Sequence, residues 1–353
     1  MTSELPRALE LPCAHGPPVG RGRIRSIPED FIVRERLGFE PDGEGDHWLL
    51  TVRKRNTNTQ WIAAQLARLA KVHPRDIGYA GLKDRNAVAE QAFTLPVRCA
   101  ITDWSSVTGD GFTVLRAERH RRKLQRGALK GNEFEIVVRE FEGDPTALAE
   151  RLARIGERGV PNYFGPQRFG RGLTNLKRAY AMFRGDAVVK DRLVRGFALS
   201  AARAQIFNAV LARRVESRLW DRFVPGDVAN LDGSNSVFVP EATDATLLER
   251  CQRLDIHPTG PLWGGGDSLA TDEARSIEKS VANEYDVLCR GLESAGLRQE
   301  RRALRVRVQA LEHEIAGRDL QLRFRLGRGS FATAVLHEIL AGAFADESDD
   351  GEE

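Results

Sequence analysis

The sequence is poor in cysteine and lacks the patterns by which cysteine and histidine bind metals or form disulfide frameworks. Its four cysteines, Cys13, Cys99, Cys251 and Cys289, lie far apart and include no Cys-x-x-Cys pair. The seven histidines include no His-x-x-x-His pair. Metal sites and disulfide frameworks need closer or more numerous cysteines. The sequence therefore predicts free thiols in a reducing compartment and no metal site.

Long apolar runs and targeting signals are also missing. No apolar run approaches the roughly 20 residues that a helix needs to cross a bilayer. The first residues, Met-Thr-Ser-Glu-Leu-Pro, have neither the basic region nor the apolar core of a secretory signal. With 41% hydrophobic and 29% charged residues, the composition is typical of a soluble globular protein. The sequence therefore predicts a cytoplasmic protein without membrane contact.

The glycine-rich stretches do not fit the common nucleotide-binding loops. Gly327-Arg-Gly-Ser330 lacks the Gly-Lys-Ser/Thr ending of a triphosphate-binding loop. Gly264-Gly-Gly266 does not follow a predicted strand and open a helix, as a dinucleotide-binding turn would. The Gly-x-Ser-x-Gly elbow of serine hydrolases is absent as well. These absences favour a site that works without a cofactor.

Positive charge is in modest excess and is unevenly distributed. The net charge is +3, but the tail 346–353 carries six acids and no base, so the rest of the chain has a net charge of +9. A basic body suggests a polyanionic partner, although a mixed solvated surface also gives such an excess. The densest basic runs are 116–126, which includes Arg121, Arg122 and Lys123, and 298–307.

Alternating and helical patterns predict a mixed α and β chain, and 353 residues are enough for two domains. Strand-like runs dominate the first part of the chain and return near its end, whereas the middle is more helical. Strands are predicted over 31–33, 47–54, 77–79, 91–97, 131–139 and 321–326, and helices over 60–72, 198–220, 271–296 and 334–344, with a further helix after the Asp144-Pro145 cap. The segment 258–267 is predicted to be a loop.

The segment 78–91 places one carboxylate, Asp84, between two cations, Lys83 and Arg85. Flanking cations favour the ionised form of a carboxylate, which suits a nucleophile or an electrostatic stabiliser better than a proton donor. The segment also lies on a connection between predicted strands, where catalytic groups are often presented. A solvated, charged surface turn is the other interpretation of the same residues.

The segment 160–171, Val-Pro-Asn-Tyr-Phe-Gly-Pro-Gln-Arg-Phe-Gly-Arg, combines three aromatic rings with two arginines and two glycines. Single-stranded nucleic acid is often bound by such a combination. An aromatic-rich loop that packs one domain on another would have the same composition. Together with the basic runs and Asp84, the segment supplies what chemistry on a base of a structured nucleic acid needs: cations for the backbone, rings for stacking and a carboxylate for attack.

Six segments in order resemble the motifs of the TruD-type tRNA pseudouridine synthases. The most specific is Gly81-Leu-Lys-Asp-Arg-Asn-Ala-Val, followed by Gln91. The similarity extends from about Gly20 to Ala341. The other matching segments are Pro28-Glu-Asp-Phe31, Phe39-Glu-Pro-Asp-Gly-Glu-Gly45, Leu129-Lys-Gly-Asn-x-Phe134, Val160-Pro-Asn-Tyr-Phe-Gly-x-Gln-Arg-Phe-Gly170 and Gly329-Ser-Phe-Ala-Thr333.

The resemblance implies an enzyme that isomerises a uridine of tRNA, at position 13 in the bacterial family, to pseudouridine without a cofactor or a metal. Asp84 matches the family's nucleophile, and attack on the base and attack on the sugar both remain open. Phe31, Asn132 and Phe331 match positions that contact the target nucleotide. The two rings would sandwich the flipped uracil, and the Asn132 amide would bind its polar edge or hold the Asp84 loop. Arg25 matches a basic residue that pairs with the nucleophile.

Further residues are expected to support the site or to bind RNA, and tRNA is the expected partner. These are Lys83, Arg85, Arg121, Arg122 and Lys123. We expect a monomer. A non-catalytic RNA-binding or RNA-folding protein would use the same basic surfaces. An RNA methyltransferase is a third possibility, although the sequence lacks a recognisable glycine-rich cofactor turn.

The resemblance also implies an α+β fold of the pseudouridine-synthase type. Its catalytic domain has a mainly antiparallel sheet flanked by helices and is interrupted by an inserted α/β TRUD domain. The catalytic domain would comprise 1–158 and 306–345, and the insertion 159–305. A cleft between them, lined by both basic runs, would hold tRNA. The acidic tail 346–353 is expected to be disordered.

Overall fold

The computed structural model describes residues 9–105 and 107–343, so the predicted acidic tail lies outside the described residues. The chain divides into two compact units. The sheet unit consists of Gly22–Glu142 and Gln309–Gly329, and the helical unit of Met1–Arg21, Gly143–Val308 and Ser330–Glu353. The predicted insertion, 159–305, falls inside the helical unit. Its bounds stay a prediction, because compactness does not show which segment is inserted into which.

The described part of the chain contains runs of strands separated by single helices or pairs of helices. The strands are β1 (Gly20–Arg23), β2 (Phe31–Arg36), β3 (His47–Arg55), β4 (Gly78–Tyr79), β5 (Val88–Pro96), β6 (Thr108–Gly109), β7 (Phe112–His120), β8 (Gly131–Gly143), β9 (Val160–Pro161), β10 (Ala229–Leu231), β11 (Val237–Phe238), β12 (Ile256–Leu262), β13 (Glu300–Ala303), β14 (Arg305–Val306), β15 (Val308–Ala316) and β16 (Asp319–Gly327). The helices are α1 (Thr59–Ala70), α2 (Pro145–Arg158), α3 (Thr174–Arg184), α4 (Arg192–Glu216), α5 (Ala245–Gln252), α6 (Asp272–Glu284), α7 (Asp286–Ser294) and α8 (Ala332–His337).

The sheet unit is built on a ten-stranded sheet in the order β15-β16-β8-β2-β5-β3-β7-β6, with β1 paired to β8 and β4 to β5. Its pairs are antiparallel between β16 and β8, β8 and β2, β5 and β3, and β3 and β7, whereas β2 and β5 run parallel. The prediction of an α+β fold with a mainly antiparallel sheet flanked by helices is therefore confirmed.

One face of this sheet, the inner face, packs against α1. Leu50 and Val52 of β3 and Phe93 of β5 are buried there with Ile62 and Leu66 of α1. Ile62 and Leu66 lie about one helical turn apart, and this spacing predicted the helix. Because side chains alternate along a strand, the residues two positions before and after these on β3 and β5 point to the inner face as well.

The opposite face of the sheet carries a ladder of ion pairs. Arg34 pairs with Glu135 at 2.8 Å and Arg53 with Glu90 at 2.7 Å. Arg325 pairs with Glu133 at 2.8 Å. These side chains are partly exposed, so each pair contributes only about 0–1 kcal/mol to stability. Their main effect is on register, since a shift of one residue would bring these charges to the inner face.

The helical unit is organised around α4. Asp191 caps this helix, because its carboxylate accepts hydrogen bonds from the backbone N–H groups of Leu193 and Val194 at 2.8 and 3.0 Å. Phe207 and Leu211 of α4 are buried in a core that includes residues of α3 and α7. A four-stranded sheet in the order β11-β10-β12-β13 and the pair β14-β9 complete the β structure of this unit.

Most predicted elements are present with shifted ends, and one prediction was wrong. The helix predicted over 198–220 is α4, which begins at Arg192, and the helix predicted over 271–296 is interrupted at Tyr285 into α6 and α7. The loop predicted over 258–267 begins instead as strand β12. Two prolines argued against a strand there, but β12 is paired on both sides, by β10 and by β13. Among the described residues, no helix is both long and apolar enough to cross a membrane.

Candidate active site

The Asp84 loop, residues 80–87, connects β4 to β5 in the sheet unit. The Asp84 side chain is 35% exposed, and its Oδ2 lies 3.0 Å from Nη2 of Arg25. Arg25 is only 11% exposed and has a left-handed backbone, with φ of 57°. A residue with a side chain adopts that conformation only where its surroundings hold it there. The cation that faces the Asp84 carboxylate is therefore Arg25, from a distant part of the sequence.

Lys83 is directed away from Asp84 and binds a different carboxylate. Its Nζ lies 2.8 Å from Oε1 of Glu35, and the two side chains are 7% and 1% exposed. The second oxygen of Glu35 accepts a hydrogen bond from the backbone N–H of Ala92 at 2.9 Å. Lys83 thus flanks Asp84 in sequence, but its ammonium pairs with Glu35. A buried ion pair favours the supporting role of Lys83 over a contact with RNA.

Two further polar groups hold the same loop by its main chain. The Gln91 amide donates to the carbonyl of Gly81 at 2.6 Å. The Thr59 hydroxyl donates to Oε1 of Gln91 at 2.9 Å and accepts from the backbone N–H of Lys83 at 3.0 Å. Thr59 is the first residue of α1 and Gln91 is on β5, so the inner face of the sheet fixes the loop from both sides. Such a preorganised loop positions a reactive group without further ordering.

Lys54 completes the set of loop contacts. Its Nζ donates to the carbonyls of Asp84, at 2.7 Å, and of Thr57, at 2.6 Å. Burial lowers the pKa of Lys54 from 10.5 to about 8. Sequence analysis missed both Lys54 and Glu35. Each is a charged residue at a position where the alternating pattern of its strand predicts a buried apolar side chain. That exception to the pattern is the signal that would have identified them.

Phe31 and Asn132 lie on adjacent strands, β2 and β8. The Phe31 ring is buried, and the guanidinium carbon of Arg25 lies 4.3 Å from its centroid. One face of the predicted stacking ring is thus covered by Arg25. Asn132 is the partner of Glu35 in the β2–β8 register. Its side-chain oxygen is buried and accepts no hydrogen bond from any residue in the described part of the chain.

Phe331 belongs to the helical unit, where it precedes α8 and packs near Phe164 with a centroid distance of 6.3 Å. Tyr163, Phe164 and Phe169 of the segment 160–171 are all buried in the core of this unit. Their rings are therefore core residues, and the interpretation of this segment as an open stacking surface was wrong. Composition alone does not distinguish a buried aromatic cluster from an exposed one.

The two basic runs have different environments. Arg121 and Arg122 are exposed, and Arg121 pairs with Glu44, while the ammonium of Lys123 donates to the carbonyl of Arg75. Arg85 of the Asp84 loop is exposed as well. These four side chains remain candidates for phosphate contacts.

The run 298–307 is largely structural. Arg301 forms a buried ion pair with Glu278 at 2.8 Å, and Arg305 is buried against the carbonyls of Cys251 and Ile256. Arg302 lies over the Phe164 ring at 4.1 Å, and burial lowers its pKa to about 9. The expectation that this whole run lines an RNA-binding surface was therefore wrong. The hydrogen-bonding groups of Arg301 and Arg305 are used by the core, whereas Arg298 is exposed.

The described residues contain no group of three or more His, Cys, Asp or Glu side chains that could hold a metal ion. The groups at the Asp84 loop and on the adjoining strands are instead one partly exposed carboxylate, one paired guanidinium, an unsatisfied amide oxygen and a buried aromatic ring. A carboxylate of this kind can act as a nucleophile or stabilise positive charge. The amide oxygen can accept a hydrogen bond from the N–H of a polar ring such as uracil.

Comparisons with known proteins agree on one family. The model of the family tRNA pseudouridine synthase D (TruD) matches residues 10–188 and 173–339. A tRNA pseudouridine synthase D of Nitrosococcus oceani is 47% identical over 328 residues, which are 92% of each chain. One of Methylococcus capsulatus is 46% identical over 333 residues, 94% of each chain.

The fold is also similar to that of a solved structure. A crystal structure of a tRNA pseudouridine synthase D from Methanosarcina mazei matches with a TM-score of 0.72 and 23% identity, over 94% of this chain and 98% of that one. At this identity the match supports the fold, and the closer relatives support the family. The chain belongs to the tRNA pseudouridine synthase D family.

Proposed function

We propose that the chain is a tRNA pseudouridine synthase that isomerises uridine at position 13 of tRNA, with Asp84 as the nucleophile. The family and the relatives support the reaction class and the substrate. The observation that carries the role of Asp84 is its geometry: a partly exposed carboxylate, paired with Arg25 at 3.0 Å, on a loop fixed by buried hydrogen bonds. Catalytic groups are typically held in this way by residues that are themselves fixed.

The reaction balances without any co-reactant. The bond between N1 of uracil and C1′ of ribose breaks, the base turns, and a bond forms between C5 and C1′. The proton on C5 is lost and N1 gains a proton, so no atom or electron is gained overall. An isomerisation of this kind requires no redox or group-transfer partner, which supports a mechanism without a cofactor. Asp84 would open the glycosidic bond, and the ion pair with Arg25 would orient its carboxylate.

The target uridine must leave the base stack to reach Asp84. Extruded bases are usually read by stacking and by hydrogen bonds to their polar edge. Phe31 and Phe331 are proposed to stack on the uracil, and the unsatisfied oxygen of Asn132 to accept a hydrogen bond from its N–H. Because the Arg25 guanidinium covers Phe31, stacking on that face requires Arg25 to shift while tRNA binds. The exposed cations Arg85, Arg121 and Arg122 are proposed to contact phosphates.

Turnover distinguishes this proposal from a non-catalytic RNA-binding protein. The purified chain should convert uridine 13 of an unmodified tRNA transcript and release tritium from tRNA that carries [5-³H]uridine. Both proteins would bind tRNA with a strong salt dependence, so binding alone does not separate them. Binding without tritium release would support the RNA-binding protein, and modification of another position would contradict the assigned site in tRNA. We propose further that the protein is cytoplasmic and acts as a monomer.

We expect Phe31→Ala and Phe331→Ala to lower the single-turnover rate more than the affinity for tRNA. Loss of stacking on one base costs about 1–3 kcal/mol, or roughly 5- to 150-fold in rate, whereas phosphate contacts supply most of the affinity. Tritium release under single-turnover conditions and a filter-binding Kd measure the two quantities. Phe238→Ala, at a partly exposed ring of β11, is the control. Equal loss of rate and affinity would count against stacking.

A further inference from the structure

Lys54 is a fully buried lysine without a carboxylate partner. It follows Leu50 and Val52 on the inner face of the sheet and is 0% exposed. Its ammonium instead donates to two backbone carbonyls, those of Thr57 and Asp84. Within 9–105 and 107–343, no Asp or Glu side chain forms an ion pair with it. A cation is thus held inside the sheet by the main chain of the Asp84 loop.

Packing gives no reason for a charge at this position. A buried ammonium is costly unless it is paired, and a leucine or methionine would continue the apolar pattern of Leu50 and Val52 at lower cost. Charged groups retained at such a cost are concentrated at functional sites. The contact of Lys54 with the residue proposed as the nucleophile identifies the site that it serves.

The geometry gives Lys54 two effects on Asp84. The hydrogen bond to the Asp84 carbonyl fixes the main chain from which the carboxylate projects toward Arg25. The positive charge also attracts the Asp84 carboxylate, since Asp84 in turn raises the pKa of Lys54. A fixed charge in a water-excluded position has a larger effect than the same charge in solvent.

We propose that Lys54 is a positioning residue of the reaction, whose ammonium holds the main chain of Asp84 so that the carboxylate meets the uridine in a reactive orientation. This role rests on the proposed function of the chain. Lys54 would contribute to the reaction through Asp84, without touching the substrate or the reacting atoms. Glu35 and Gln91 hold neighbouring parts of the loop, whereas Lys54 binds the main chain of Asp84 itself.

The charged groups around Lys54 predict how the role depends on pH. Burial is the largest effect and lowers its pKa from 10.5 to about 8; Asp84 opposes this shift, and Lys83 adds to it. The Asp84 carboxylate itself forms an ion pair with Arg25 at 3.0 Å. The rate should therefore fall as the pH rises through about 8, because Lys54 loses its charge there.

Stability should change in the opposite direction over the same range. An unfolded lysine keeps its proton up to a pH of about 10.5, so between about 8 and 10.5 the unfolded state binds more protons than the folded state. The free energy of unfolding that depends on Lys54 therefore rises with pH in this window. A fall in turnover in this pH window therefore cannot be caused by unfolding that follows from the deprotonation of Lys54.

The test compares Lys54→Met and Lys54→Arg with the wild-type chain. Single-turnover tritium release from [5-³H]uridine tRNA gives the rate constant, and Kd for tRNA and the thermal midpoint are measured in parallel. We expect Lys54→Met to lower the rate constant about 10²-fold, the size of effect that misplacing a reactive group by about 1 Å produces. Kd should change less than about threefold, since phosphate contacts are untouched. Lys71→Met, at an exposed lysine just after α1, should behave as wild type.

The Lys54→Arg variant provides a readout that a purely structural role would not change. A guanidinium stays charged over the whole range, so the fall in rate above pH 8 should disappear even if the rate itself is lower. This comparison of pH profiles decides the matter if Lys54→Met fails to fold. Wild-type turnover with Lys54→Met, or identical profiles for wild type and Lys54→Arg, would overturn the role of Lys54 alone. Absence of pseudouridine with the wild-type chain would overturn the proposed function, and this role with it.

Discussion

Asp84→Asn is expected to abolish pseudouridine formation. Removing a nucleophile typically costs a factor on the order of 10⁴ or more, and Asp84 is the carboxylate that the Asp84 loop presents to Arg25 at 3.0 Å. The measurement is tritium release from [5-³H]uridine tRNA with enzyme in excess over tRNA. Affinity for tRNA should be unchanged or slightly higher, because the variant removes one negative charge from a surface that approaches phosphates.

A control variant and a stability measurement show whether the loss of turnover is specific to the Asp84 carboxylate. Asp110→Asn changes an exposed aspartate in the turn between β6 and β7 of the same unit and should leave turnover unchanged. The thermal midpoint of Asp84→Asn should stay close to that of the wild type, since the carboxylate is partly exposed. Turnover by a folded Asp84→Asn variant at more than a few per cent of the wild-type rate would remove Asp84 as the nucleophile.

Glu35→Ala is expected to have the largest effect on stability. Removing one partner of a buried ion pair leaves the other charge uncompensated, which costs about 3–5 kcal/mol. Here the uncompensated charge is Lys83, and the backbone N–H of Ala92 also loses its acceptor. Urea unfolding at neutral pH measures the decrease in the free energy of unfolding. Activity should fall as well, because Lys83 immediately precedes Asp84 in the loop.

Two further variants test the cause of this loss. Glu133→Ala removes a carboxylate on the neighbouring strand that pairs with Arg325 on the partly exposed face, and it should cost no more than about 1 kcal/mol. The double variant Glu35→Ala with Lys83→Met removes the uncompensated charge and should recover part of the stability. If the double variant were less stable than Glu35→Ala alone, burial of an unpaired Lys83 would not be the cause.

Much of the sheet unit is predictable from the sequence because its patterns are local. The apolar alternation of β2, β3, β8 and β16 and the helical spacing of α1 identify these elements within a few residues. The same patterns contain Lys54 and Glu35 as charges at inward positions. These patterns do not predict that Lys54 and Glu35 hold the same loop. That arrangement depends on the parallel pairing of β2 with β5. Pairings between distant segments leave no local pattern in the sequence.

The errors in the site have the same physical origin. Lys83 is next to Asp84 in sequence, yet its ammonium reaches Glu35 on β2. Arg25 is far away in sequence, and only the resemblance to the family suggested that it pairs with Asp84. Charge composition also failed for Arg301, whose guanidinium is buried against Glu278. Burial of a charged side chain depends on the tertiary contacts around it.

The pairing of β8 with β16 has a consequence for how the protein is made. Asn132 lies on β8, whose partner β16 is joined in a register from Gly131 with Gly327 to Val138 with Leu320. During synthesis the whole segment Gly143–Val308 emerges before β16 does. Until then one edge of β8 has no strand beside it, and an open strand edge is prone to pair with other chains. The sheet that presents Asp84 can therefore be completed only after Gly143–Val308 has been synthesised, so late folding and protection of this edge are expected to limit the yield of active protein.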